Sequence, residues 1–402
     1  MAALSKSICV IGLGYIGLPT ASLLATKGYK VHGVDVTQHI VDTINGGKIH
    51  ITEPDLDILV KSAVQSGNLK ASLEPIEADI YIIAVPTPFK EGYQPDLSYV
   101  EDAAKKISPY LKKGSLVILE STSPVGTTEE QVANIFSQNG HKVGEDVFVA
   151  YCPERVLPGR ILIELVENDR IVGGVDKAST EQAVEFYNTF VRGEVLATDS
   201  RTAEMAKVTE NSFRDVNIAF ANELSLICDQ EGINVWELIQ LANRHPRVSI
   251  LQPGPGVGGH CIAVDPWFIV ARNPEQARLI RTAREVNDGK PQWVVDKVKS
   301  QAEKFKKPVI ACLGLAFKAD IDDLRESPAM QIVHMLKDES IGELLICEPN
   351  IESHKEFELV SLDEALPRAD IILLLVDHKP FKAMSASDLK EKIVIDTRGV
   401  IT

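Results

Sequence analysis

The segment that most constrains the fold is Gly12-Leu13-Gly14-Tyr15-Ile16-Gly17, which follows the apolar run 7–11 and opens a helix-like stretch. Gly12 permits a tight turn, Gly14 lets a backbone approach a pyrophosphate, and Gly17 allows close helix–strand packing. A second apolar run, 30–35, ends on Asp35, 18 residues past Gly17. An acid there can accept from a ribose 2′-hydroxyl and would repel a 2′-phosphate, so the spacing predicts a dinucleotide site for NAD rather than NADP. The helix N-terminus formed by Tyr15, Ile16 and Gly17 would face the phosphates. A turn that merely needs glycine leaves Asp35 unexplained.

Further apolar runs at 79–85, 115–120 and 147–151, with helical patterns between several of them, extend this unit into a mostly parallel sheet covered on both faces. From Arg201 to about Glu231 the pattern changes. No Pro and no interior Gly interrupts it, apolar residues recur at helical spacing, and Gly232 offers a stop. This predicts one helix of roughly 45 Å. Beyond about Lys306, runs at 308–313, 343–347, 370–376 and 392–396 restore the α/β alternation. The expected fold class is α/β, with two doubly wound Rossmann-like domains joined by a long central helix. The expected segments are a dinucleotide-binding domain at 1–200, a central helical domain at 201–300 and a second Rossmann-like domain at 301–402. No repeat or low-complexity segment stands out.

The net charge of −15 over 402 residues argues against a nucleic-acid partner, although a few Arg and Lys in one pocket still suit a small anion. No stretch is apolar for long enough to span a bilayer, and the polar start running into a strand argues against a signal peptide. The six cysteines lack paired spacing, so neither a disulfide framework nor a metal site is expected, and a reducing cytoplasm is the simplest setting.

Ligands in open α/β sheets sit outside the carboxyl ends of strands. Pro86-Thr87-Pro88 and Ser121-Thr122-Ser123-Pro124-Val125-Gly126 end two predicted strands and are expected to line the cofactor cleft. On the long helix, Glu204, Lys207 and Asn211 fall at i, i+3 and i+7, which places Lys207 and Asn211 on one face. A Lys beside an Asn can bind an alkoxide or relay a proton, although the pair alone reads more simply as a solvated face. The densest stretch is Gln252-Pro253-Gly254-Pro255-Gly256-Val257-Gly258-Gly259-His260-Cys261-Ile262-Ala263-Val264-Asp265-Pro266. Its constrained backbone offers N–H groups that can lower a thiol pKa and hold an oxyanion. Asp265 would face the way Cys261 does if Cys261 begins a helical turn, whereas His260 reads as structural.

With Gly314-Leu315-Ala316-Phe317-Lys318-Ala319-Asp320-Ile321-Asp322-Asp323-Leu324-Arg325-Glu326-Ser327-Pro328, these motifs in this order resemble the UDP-glucose/GDP-mannose dehydrogenase family along essentially the whole chain. The resemblance implies a four-electron, NAD-dependent oxidation of a sugar C6 alcohol to a carboxylate, through a cysteine thiohemiacetal and thioester. Carried over by position, it implies Cys261 as nucleophile, Lys207 as oxyanion or alkoxide stabiliser with Asn211 and Thr122 assisting, and Asp265 in proton removal. Glu154, within Tyr151-Cys152-Pro153-Glu154-Arg155-Val156-Leu157-Pro158-Gly159, matches the acid of the hydrolytic half. Glu154, Arg155, Lys207, Asn211, Arg247, Gly258, Lys318 and Arg398 would contact the nucleotide-sugar, Arg247 that of the neighbouring subunit. Arg325 would approach the cofactor.

UDP-glucose members carry a second acid where this chain has Pro158, and the CPERVLPG and GGHCIAVDPWF stretches resemble members acting on N-acetylated hexosamines, the N-acetylmannosamine branch above all. The implied substrate is a UDP-amino-sugar, and the implied destination of the product is a surface glycan such as enterobacterial common antigen. N-acetylglucosamine, N-acetylgalactosamine and glucose derivatives are the alternatives within this chemistry. A two-electron hydroxyacid-type dehydrogenase would share the Lys and Asn but has no use for Cys261 or the second α/β domain. A non-catalytic NAD-binding protein would need none of these side chains. The family pattern and the amphipathic helix imply a homodimer.

Overall fold

The structure is a computed structural model that describes residues 6–259, 261–385 and 387–401; the readings placed on the first five residues and on His260 lie outside them. Two compact units form, Met1–Glu210 and Asn211–Thr402.

The first unit holds an eight-stranded sheet. Its strands are β1 (Ser7–Ile11), β2 (Lys30–Val34), β3 (Leu69–Ser72), β4 (Ile80–Ile83), β7 (Ser115–Leu119), β8 (Val147–Tyr151), β9 (Arg170–Gly174) and β10 (Val195–Asp199), while β5 (Phe89–Lys90) and β6 (Gln94–Pro95) form a separate hairpin. The order is β10-β9-β8-β7-β4-β1-β2-β3, and every pairing is parallel except β8 with β9. Strand side chains alternate between faces, and here both faces are covered. Ile8, Val10, Ile80, Ile82, Leu116 and Ile118 enter one apolar cluster, and Cys9, Ile11, Tyr81, Ile83, Val117 and Leu119 enter another. Burial on both sides is why these strands read as unbroken apolar runs.

Three strands of this sheet escaped the sequence reading, the edge strand β3 and the neighbours β9 and β10. In β10 every residue is at least partly exposed, and β9 contains Gly173 and Gly174, whose absent side chains leave room for the Asp199 carbonyl and the Thr180 amide.

The helix Ser200–Glu231 is continuous over 32 residues and stops before Gly232, which adopts φ +69°. The second unit carries a four-stranded parallel sheet of β11 (Val309–Leu313), β12 (Glu343–Cys347), β13 (Ile371–Leu374) and β14 (Ile393–Asp396), in the order β12-β11-β13-β14. Again the strands feed two clusters, Ile310, Cys312, Ile371 and Leu373 on one face and Ala311, Leu313, Ile372 and Leu374 on the other. Ahead of this sheet runs the helix Arg278–Ala302, with Pro291 and Gly289 inside it. No helix among the described residues is long and apolar enough to cross a membrane.

Candidate active site

In the first unit the glycine turn has the geometry that dinucleotide binding requires. Gly12 sits at φ +91°, and a side chain there would meet the Ala84 carbonyl at 2.4 Å. A Cβ on Gly17 would lie 1.8 Å from the Gly12 carbonyl, so the helix Gly17–Thr26 can start this close to the turn only without one. At Gly14 a Cβ would meet nothing within 4 Å, which leaves an open approach to the backbone. Asp35 is half-buried, and its carboxylate accepts from the Leu13 amide at 3.1 Å and the Thr37 amide at 3.0 Å. Two backbone donors fix the group, and lone pairs remain for ribose hydroxyls.

The two strand-end loops expected beside this turn are bonded to each other. Thr87 Oγ1 donates to the Thr122 carbonyl at 2.7 Å, and Ser121 Oγ bonds both the amide and the carbonyl of Val85. Glu204 from the long helix closes the far side of the Thr122 loop, where its buried carboxylate accepts from the Gly126 amide (2.5 Å), the Thr128 amide (2.7 Å) and Thr128 Oγ1 (2.7 Å). Burial raises its pKa against those donors. Glu204 therefore tethers a loop, one turn before Lys207, which is half-buried on the same helix.

Glu154 follows β8 and is buried. Arg170 from β9 pairs with it at 2.9 Å, and the Arg155 amide donates to its other oxygen at 2.7 Å. Arg155 itself is engaged elsewhere. Its guanidinium forks onto Glu210 at 2.7 and 3.2 Å and donates to the Asp169 carbonyl. Nothing in the sequence marks Arg170 as the partner of Glu154.

In the second unit, Cys261 is the exposed cysteine; the other five are buried. Burial pushes the thiols of Cys9, Cys152, Cys312 and Cys347 up to about 12, which makes them inert hydrophobes at neutral pH. The Cys261 carbonyl accepts from the amides of Val264 (3.0 Å) and Asp265 (2.9 Å), so Cys261 does begin a helical turn that leads into the helix Asp265–Arg272. Asp265 is buried, and Asn211 Nδ2 donates to its carboxylate at 2.5 Å. Three predicted site residues, Asn211, Asp265 and Cys261, thus share one local structure, and Lys207 precedes Asn211 by one helical turn.

A buried polar chain that sequence reasoning missed anchors the glycine-rich loop. The Gly254 amide donates to Asn222 Oδ1 (2.8 Å), Asn222 Nδ2 to Asn287 (2.8 Å), Asn287 Nδ2 to Asp215 (2.8 Å), and Arg284 pairs with Asp215 at 2.6 Å. Each such bond contributes about 1 kcal/mol net, but an orphaned member would cost more.

The glycines of this loop serve close packing. A Cβ on Gly254 would lie 2.8 Å from Arg398 Nη1, one on Gly258 2.5 Å from the Glu326 carbonyl, and one on Gly259 3.0 Å from the Phe317 ring. Pro255, Gly256, Phe317, Lys318 and Arg398 line the resulting recess. Asp377 accepts two bonds from Arg398 (2.9 and 3.1 Å) and pairs with Lys382 (2.7 Å). Burial alone would raise the Asp377 pKa, but the two cations hold it below the usual carboxylate range. Arg325 is exposed and forks onto Asp323, and Arg247 lies exposed in the loop after the helix Val235–Ala242.

The UDP-glucose/GDP-mannose dehydrogenase family matches through its NAD binding domain at residues 6–191, its central domain at 201–289 and its UDP binding domain at 311–402. An NDP-N-acetyl-D-galactosaminuronic acid dehydrogenase of Ralstonia solanacearum is 60% identical, over 98% of this chain and 96% of its own. A UDP-N-acetyl-D-mannosamine dehydrogenase of Escherichia coli is 58% identical, over 98% and 99%. The solved UDP-N-acetyl-mannosamine dehydrogenase of S. aureus superposes with a TM-score of 0.91 at 45% identity, covering 98% of this chain and 95% of that one. The glycine turn falls within the stretch that matches the NAD binding domain and Cys261 within the stretch that matches the central domain, and this chain belongs to the UDP-glucose/GDP-mannose dehydrogenase family, as an NAD-dependent nucleotide-sugar dehydrogenase.

Proposed function

We propose that the chain oxidises the C6 alcohol of UDP-N-acetyl-D-mannosamine to UDP-N-acetyl-D-mannosaminuronate, which serves surface-polysaccharide synthesis in the cytoplasm. The observation that carries the four-electron reading is the exposed Cys261 at the head of the turn that ends on Asp265, itself bonded to Asn211. NAD bound at the Gly12–Gly17 turn would accept one hydride in each oxidation, so two NAD are reduced per sugar. Asp265 takes up the C6 hydroxyl proton through a water, and Lys207 stabilises the alkoxide, as the alcohol becomes an aldehyde. The Cys261 thiolate adds to that aldehyde, and Lys207, Asn211 and Thr122 stabilise the resulting oxyanion. Loss of the second hydride leaves a thioester on Cys261. Water activated by Glu154 cleaves the thioester, releasing the uronate and the thiol. Lys318 and Arg398 hold the nucleotide diphosphate, which suits a planar Arg fork; Arg155, Arg247 and Gly258 complete the sugar-nucleotide contacts, and Arg325 approaches the cofactor.

The three segments 1–200, 201–300 and 301–402 correspond in this reading to cofactor, central and nucleotide-sugar domains. A homodimer is part of it. Phe213, Phe220 and Ile227, seven residues apart on the long helix, are 68%, 52% and 49% exposed and form an apolar stripe suited to a second copy. A monomeric mass by light scattering contradicts this.

The mannosamine substrate is supported by the E. coli and S. aureus relatives. The 60% identity to the Ralstonia protein favours a galactosamine-type substrate as the second reading. Offering the enzyme UDP-N-acetylmannosamine, UDP-N-acetylglucosamine, UDP-N-acetylgalactosamine and UDP-glucose in parallel decides between them. The highest kcat/KM belongs to the mannosamine compound on the first reading and to the galactosamine compound on the second.

A further inference from the structure

Behind Glu154 lies a charged cluster fully withdrawn from water. Glu120 follows β7, Arg170 opens β9, and Tyr187 lies on the helix Lys177–Tyr187; all are buried, as is Cys152. Tyr187 donates to Glu120 Oε1 at 2.7 Å, Arg170 reaches Glu154 at 2.9 Å, and the Arg170 guanidinium stands 5.7 Å from the centre of the Tyr187 ring. Glu120 Oε2 has no hydrogen-bond partner, and neither has Arg170 Nε. A salt bridge and a further carboxylate in a dry core are costly unless the charges balance. One guanidinium faces two carboxylates here, so the cluster is neutral only when it keeps one proton.

We propose that Glu120 is a positioning residue that holds this proton, so that the Arg170 guanidinium is left to Glu154, which stays paired and fixed in place as the base for thioester hydrolysis. The inference rests on that reading of Glu154. Arg170 lies against Glu154, whereas Glu120 has only the Tyr187 phenol as a donor. Burial first, and the Glu154 charge second, raise Glu120 to about 7, with Arg170 and Tyr187 opposing. Cys152 and Tyr187, the other titratable groups facing it, are held neutral by burial. Above that range Glu120 ionises and competes for Arg170.

The sign for stability follows. A carboxyl whose folded pKa lies above its unfolded value contributes fully below the unfolded value, about 4.5, and that contribution is lost as the pH rises through about 7. A neutral amide at this position, as in Glu120→Gln, would lose nothing over this interval.

The test compares full-length wild type, Glu120→Gln and Glu154→Gln between pH 5.5 and 8.5. The Glu120→Gln melting temperature should rise relative to wild type by several degrees across the interval. Its rate of acid formation relative to wild type should rise at least threefold between pH 6.5 and 8.5. Flat differences in both series overturn the inference. A moving melting temperature with a flat rate ratio overturns the positioning role. Wild-type acid formation by Glu154→Gln overturns the reading of Glu154 instead, while a defective Glu154→Gln beside a flat Glu120→Gln overturns the inference alone. Should Glu120→Gln fail to fold, Tyr187→Phe removes the phenol donor that favours the Glu120 anion. Its alkaline decline should then begin at higher pH than in wild type, and an unmoved limb counts against the proposal.

Discussion

The two larger sheets of this protein begin with the same device and put it to opposite uses. β1 is followed by Gly12 (φ +91°), whose amide donates to the Val34 carbonyl at 2.8 Å; β11 is followed by Gly314 (φ +97°), whose amide donates to the Cys347 carbonyl at 2.8 Å. An acid follows the second strand of each sheet. Asp35 accepts from the Leu13 amide, and Glu348 accepts from the amides of Leu315 and Ala316 at 2.7 and 3.0 Å. The difference lies in what is left over. Asp35 is half-buried, with capacity for a ligand. Glu348 is buried, and its remaining capacity is taken by His378 Nε2 at 3.0 Å and by the Asn350 amide and side chain at 3.0 and 3.1 Å. Burial alone would raise the Glu348 pKa, but these donors hold it below the usual range.

The turns differ in the same sense. GLGYIG in the first becomes GLAFKA in the second, where Ala316 stands for Gly14 and Ala319 for Gly17. The helix at Gly17 follows at once, whereas Pro328–Asp338 waits until the Lys318 loop has passed. One frame leaves glycine and a half-buried carboxylate open, which on the proposed reading meets the cofactor ribose. The other closes its carboxylate internally, and Lys318 and Arg398 line a recess that on the same reading holds a diphosphate.

This contrast can be broken in three places. The largest effect is expected from Glu348→Ala, which strands buried donors at Leu315, Ala316 and His378 and should cost about 3 kcal/mol. A urea melt of the second unit that matches wild type would mean that Glu348 is not structural. Next is Arg398→Ala, which should raise KM for the nucleotide-sugar roughly 10- to 100-fold, about 1.4–2.8 kcal/mol, and leave the NAD dissociation constant alone. Steady-state kinetics with each substrate varied would expose any spread of the effect to NAD. Smallest is Asp35→Ala, which should weaken NAD about tenfold, near 1.4 kcal/mol, with a melting temperature within a degree or two of wild type. A large loss of stability there would make Asp35 a second Glu348 and erase the comparison.

What was legible in the sequence follows from burial and spacing. Strands covered on both faces announce themselves as apolar runs, and the Gly12–Gly17 turn with Asp35 is a local pattern. So is the four-residue spacing of Cys261 and Asp265. The helix Arg278–Ala302 carries Gly289 and Pro291, residue types that disfavour a helix interior, so its sequence does not announce it. The pairs that fix the site join residues far apart in the chain: Glu154 with Arg170, Asn211 with Asp265, Asn222 with Asn287, and Glu348 with His378. No local spacing encodes such pairs, because packing brings them together. The exposure that separates Cys261 from five inert cysteines is likewise a property of the fold. The correspondence of the two glycine turns also went unseen, because six residues of which four differ carry too little signal until the strands around them are known.

The central claim is a four-electron oxidation through Cys261, and counting NADH against sugar consumed tests it most directly. Two NADH per sugar and a uronate product, with acid formation lost in Cys261→Ser while NAD binding is retained, is the predicted result. One NADH per sugar with a released aldehyde, or normal uronate from Cys261→Ser, would contradict it.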